Sequence, residues 1–101
     1  MGIKDIINGE LVRNAKKIGM IDDELFNLPE GSLVKVRNND SVYIYLKKRE
    51  GSTVKSTYIG KEGSVEATRI EIDISRKKTL LSRKRKLENE RRLMIKMLKV
   101  K

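Results

Sequence analysis

The residues with the plainest chemistry are the cations of the last 26 positions. Arg76, Lys77, Lys78, Arg83, Lys84, Arg85, Lys86, Arg91, Arg92, Lys96, Lys99 and Lys101 stand there against only Glu88 and Glu90. The other 75 residues hold twelve bases and twelve acids, so the formal net charge of +10 belongs wholly to the C-terminal stretch. A solvated helix usually mixes signs at i,i+4 spacing, which stabilises it by about 0.2–0.5 kcal/mol per pair. Here the like charges repel one another, and a polyanion would relieve them by taking cations onto its phosphates. A second set lies upstream. Tyr43 and Tyr45 alternate with Lys47 and Arg49, and Lys35, Arg37 and Lys55 flank them. Aromatic rings beside cations can stack bases or line a groove while the cations hold phosphates. The same mixture also occurs on solvated antiparallel sheet faces, where Tyr and Lys are common neighbours.

Other chemistries find few residues to carry them. Histidine and cysteine are absent, which removes the usual general base, the commonest metal ligand and any thiolate or disulfide. Dense acids occur only at Asp22-Asp23-Glu24 and at Glu71 and Asp73. Helix-end electrostatics account for the first group, and the second would lie on different sides of a helix. No glycine-rich phosphate loop and no nucleophile–base pair is legible, so no catalysis, cofactor or metal is expected. No apolar run approaches the roughly 20 residues of a membrane span, and residues 1–10 lack the apolar core of a secretion leader. Ile6 breaks a myristoylation motif. The basic stretch holds no Trp or Phe to anchor in headgroups. These readings, with the lack of cysteine, suit a cytoplasmic protein without a membrane partner.

The elements that must position these residues follow from periodicity. Residues 1–28 read as small helices. Leu11, Val12, Ala15 and Ile18 recur at helical spacing, Gly19 suits a C-cap, Asp22 suits the N-cap of a second short helix, and Pro29 stops it. The run Ala15, Ile18, Gly19, Met20, Leu25 is similar to the turn of a helix-turn-helix, but Asp22-Asp23-Glu24 would then face phosphates, the wrong sign. Residues 33–37, 42–49 and 53–59 read as three strands of an antiparallel meander. Strict alternation expects Val34, Val36, Val42, Ile44, Leu46, Val54 and Tyr58 on an apolar face. It expects Lys35, Arg37, Tyr43, Tyr45, Lys47, Arg49, Lys55 and Thr57 on a cationic one. A bulge would move residues between faces. Residues 64–101 read as one long helix with a stripe of Val65, Ile72, Leu80, Leu87, Met94 and Leu98 and a shorter stripe of Ile70, Ile74 and Leu81. The fold class is thus α+β: small N-terminal helices (residues 1–28), a three-stranded sheet with the start of its covering helix (29–75), and a basic helical extension (76–101).

The string Leu28-Pro29-Glu30-Gly31-Ser32-Leu33, with Tyr43-Ile44-Tyr45-Leu46, Arg49-Glu50-Gly51 and Tyr58-Ile59-Gly60-Lys61, resembles a short hairpin-plus-helix module of uncharacterised bacterial, archaeal and phage proteins. That module implies no activity. As architecture, three strands on a helix are similar to the arm-type DNA-binding domains of integrases and to plant ethylene-response domains. Arg76 to Arg92 also resembles a basic-region helix, but its zipper would be barely two heptads, with Arg83 and Arg91 intruding. The expected function is nucleic-acid binding, DNA or RNA, as a monomer or a ligand-assembled dimer. The expected site is Arg76, Lys77, Lys78, Arg83, Lys84, Arg85, Lys86, Arg91 and Arg92 with Tyr43, Tyr45, Lys47, Arg49 and Lys55. The alternative is a phage-type inhibitor, anti-CRISPR-like, that grips a host nucleoprotein enzyme through the basic helix.

Overall fold

The computed structural model describes residues 2–100, so Lys101, counted above among the cations, lies outside them. The order is α1 (Ile3–Phe26), β1 (Ser32–Asn38), β2 (Ser41–Glu50), β3 (Thr53–Lys61) and α2 (Val65–Lys99). The three strands form one antiparallel sheet in the order β1-β2-β3. The chain divides into two units, residues 28–77 and residues 1–27 with 78–101, and α2 contributes to both.

Two tight turns set the sheet. Asn38 pairs with Ser41, so Asn39 and Asp40 are the whole of the first loop, with Asn39 at φ 56°. Glu50 pairs with Thr53 across a second two-residue loop, with Gly51 at φ 62°. Asn and Gly tolerate such backbone angles, which is why these residues make tight hairpins. A two-residue loop also pairs odd positions with even ones. Val36 therefore lies opposite Tyr43, Val34 opposite Tyr45, and Tyr45 opposite Tyr58. Partners directly across an antiparallel ladder share a face. The face assignment expected from uniform alternation is accordingly corrected on both outer strands. Val34, Val36, Val54 and Tyr58 share the face of Tyr43 and Tyr45. Lys35, Arg37, Lys55 and Thr57 share the face of Ile44 and Leu46.

The first turns of α2 cover the Ile44 face. Ser64 starts the helix by accepting the Ala67 N–H on its Oγ at 3.2 Å. Ile44 and Ala67 are wholly buried, and Ile74 nearly so. The register slips at Ile44/Tyr45, placing Gly60 beside Ile44. A Cβ on Gly60 would stand 2.7 Å from Ser64 Oγ, so glycine lets the strand approach the helix start. Gly31, at φ 109°, has a stricter requirement, because a Cβ there would lie 2.4 Å from the Lys47 carbonyl oxygen.

The second unit is a pair of antiparallel helical segments. Ile7, Leu11, Asn14, Ile18, Ile21 and Leu25 of α1 alternate steps of four and three, and so do Leu80, Lys84, Leu87, Arg91, Met94 and Leu98 of α2. That is the seam pattern of a coiled coil. Asn14 Nδ2 donates to the Leu87 carbonyl at 2.8 Å, and Arg91 donates to the Leu11 carbonyl at 3.4 Å. Ile7 and Leu80 are buried in the seam, as is Asn14, whose Oδ1 has no partner. The two short N-terminal helices expected from Gly19 and Asp22 are in fact one continuous helix. A mid-helix glycine costs about 1 kcal/mol relative to alanine. Ile18, Ile21 and Leu25 outweigh it, because a break would take them off the seam. Asn27 ends the helix instead, donating its N–H to the Glu24 carbonyl and its Nδ2 to the Asp23 carbonyl.

Candidate nucleic-acid interface

The sheet leaves one face without a helix. Its rows, read across the strands, are Val36–Tyr43–Lys61, Val34–Tyr45–Tyr58 and Ser32–Lys47–Ser56, with Arg49 opposite Val54 beyond them. The first two rows are aromatic and aliphatic apart from Lys61, and Lys47 and Arg49 stand at the other end, Arg49 beside Val54. The tyrosine rings touch: Tyr45 and Tyr58 have centroids 5.3 Å apart at 60°, and Tyr43 and Tyr58 are 6.2 Å apart at 51°. Such tilted contacts are favoured by the ring quadrupoles. Tyr43 and Tyr45 are half-buried in this cluster, whereas Tyr58 is 53% exposed.

Charge separates the two sheet faces. On the helix-covered face Lys35 pairs with Glu62 at 3.1 Å, and Lys48 pairs with Glu30 at 3.4 Å. The hydrogen bond to Glu62 holds the Lys35 ammonium above its ordinary pKa, with the Glu62 and Glu71 charges adding to the effect. The open face has no carboxylate in any of its rows. Among the described residues none pairs an acid with Lys47, Arg49 or Lys61. Tyr43, Tyr45, Lys47 and Arg49 therefore come together as expected, while Lys55 lies on the opposite face. Tyr58 and Lys61 belong to the open face and were missed by uniform alternation. The second turn, expected to span residues 50–52, closes to Gly51-Ser52, and that two-residue length sets Tyr58 opposite Tyr45, whereas Lys61 arrives only through the register slip.

The basic helix is less uniform than its composition. Lys84 pairs with Asp22 at 2.6 Å and stands near Glu88, and the hydrogen bond to Asp22 raises its pKa. Arg91 is half-buried on the Leu11 carbonyl, and Lys77 is half-buried with its ammonium donating to the Pro29 carbonyl at 3.3 Å. Arg92 bonds to Asn89. Arg76 is exposed. Lys78, Arg83, Arg85 and Lys86 are exposed and, among the described residues, pair with no carboxylate. The stretch thus splits into cations bonded within the fold and cations that face solvent without a carboxylate partner among the described residues. No family model, curated protein or solved structure matches the chain. No described helix is long and apolar enough to cross a membrane.

Proposed function

We propose that this protein binds nucleic acid in the cytoplasm, as a binding module rather than an enzyme. The observation that carries the reading is the open sheet face: three tyrosines in ring contact beside Lys47, Arg49 and Lys61, with no carboxylate among them. Such a face lacks the charge pairing of its opposite side. It offers a phosphate backbone positive charge beside apolar rings. The solvent-facing cations of α2, Lys78, Arg83, Arg85 and Lys86, add a second phosphate-seeking surface. The architecture's similarity to sheet-based DNA-binding domains points the same way as analogy only.

The test is affinity for DNA and RNA measured across salt concentration. If roughly 5–8 cations meet phosphates, log K falls against log salt with a slope of about −3 to −7, the range spanning single strands and duplexes. Changing Arg83, Arg85 and Lys86 together to Gln should flatten that slope by about 2–3 if all three contact phosphates. A slope near zero in the intact protein rejects the reading. Binding only to a nucleoprotein enzyme, with none to free nucleic acid, would transfer the proposal to the inhibitor class.

A further inference from the structure

Within the nucleic-acid reading, on which this step rests, we infer that the open sheet face takes single-stranded nucleic acid, with an unstacked base laid on Tyr58 and the phosphates following Lys47 and Arg49. Tyr58 is 53% exposed, Val54 61% and Val36 44%, so much of the surface on offer is apolar. A duplex stacks its bases on each other and shows a protein only base edges and phosphates. Those edges are hydrogen-bonding groups, and the apolar half of this face has little to give them. An unpaired base has a free π-face, which an aromatic ring covers without regard to sequence.

Three further features agree. The central rows hold no Asn or Gln, the side chains that read adenine, and the lysines there, Lys47 and Lys61, are equally suited to phosphates. Tyr58 is braced on two sides, by Tyr43 and by Tyr45, so little ring freedom remains to be lost on binding. Finally, Tyr45, Lys47 and Arg49 succeed one another on the same face of β2, about 6.6 Å apart at two residues each. That row gives an extended strand an aromatic contact followed by two cations in line.

The chain carries its own reporter. It has three tyrosines and no tryptophan, and all three tyrosines lie on this face, so intrinsic emission reports the proposed site alone. The experiment titrates the full chain with a labelled DNA strand, the same strand as RNA, and the DNA duplex, reading ligand anisotropy and tyrosine emission together. One or both single strands should bind at least about tenfold more tightly than the duplex and quench the emission in step with binding. Tyr58→Ala should weaken strand binding roughly 5- to 150-fold and leave duplex binding nearly unchanged. Tyr58→Phe, which keeps the ring, should restore most of the loss and guards against a folding defect in the alanine variant. Equal or tighter duplex binding, or strand binding without any change in emission, overturns the single-strand assignment while leaving nucleic-acid binding intact. Failure of all three ligands to bind at low salt removes the nucleic-acid reading itself, and this inference with it.

Discussion

Truncating Ile44 and Val36 to alanine, one at a time, tests the central structural claim, that these residues lie on opposite faces of the sheet. Ile44 is fully buried beneath the first turns of α2, and Val36 is 44% exposed on the open face. Ile44→Ala removes three carbons from water-free surroundings. At about 0.8 kcal/mol for each, the transfer loss is roughly 2.4 kcal/mol. The cavity left at this fully buried site adds to it, for a total of about 3–5 kcal/mol. Val36→Ala removes two carbons that are little more than half buried and leaves no enclosed cavity. Its cost should stay near 1 kcal/mol. The assay is urea unfolding at neutral pH, followed by tyrosine emission, which reports the sheet, and by far-ultraviolet circular dichroism. An unchanged m-value shows that the midpoint shift is a stability change. The thermal midpoint of Ile44→Ala should fall by roughly 12–40 °C, at about 4–8 °C per kcal/mol for a domain of this size. Equal losses in the two variants would refute the register argument, and a larger loss for Val36→Ala would mean that the helix covers the tyrosine face.

Two further outcomes follow from single atoms. Asn14→Leu should stabilise the helical unit by about 1–2 kcal/mol, read as a higher thermal midpoint by circular dichroism. It removes an orphaned buried oxygen, and the Leu87 carbonyl keeps its place in the α-helical ladder. A loss of stability would mean that Asn14 Oδ1 has a partner in solution. Gly31→Ala should cost about 2–4 kcal/mol in urea unfolding, because the backbone sits at φ 109° and the added carbon would press on the Lys47 carbonyl. A loss below about 1 kcal/mol would show that the turn into β1 relaxes freely.

The chain's local chemistry was legible from its residues. Strand positions followed from Val, Ile, Tyr and Thr between turn formers, and the start of α2 followed from Gly63 and Ser64. Turns were visible at residues 38–41 and 50–52, but as loops of four and three residues. The structure closes both to two residues, Asn39-Asp40 and Gly51-Ser52, so that odd positions pair with even ones, and uniform alternation along the chain missed this on both outer strands. The even spread of cations along the tail was also plain from composition.

Other outcomes needed the tertiary structure. Gly19 and Asp22 read as a helix end and a helix start, but the heptad seam from Ile7 to Leu25 carries α1 straight through both. Propensity acts locally at about 1 kcal/mol, whereas the seam joins residues some 70 to 80 positions apart. The same seam gives Leu80, Leu87, Met94 and Leu98 a partner within the chain, and it turns Lys84 and Arg91 from ligand-seeking cations into bonded ones. The register slip at Ile44/Tyr45 is the clearest case. It sets Gly60 beneath the start of α2, where a Cβ would collide, and so delivers Lys61 to the tyrosine face. The residues alone determined the three strands and the long helix α2. Which cations stay free for a ligand is decided only when distant segments pack, because packing chooses the partner of each charge.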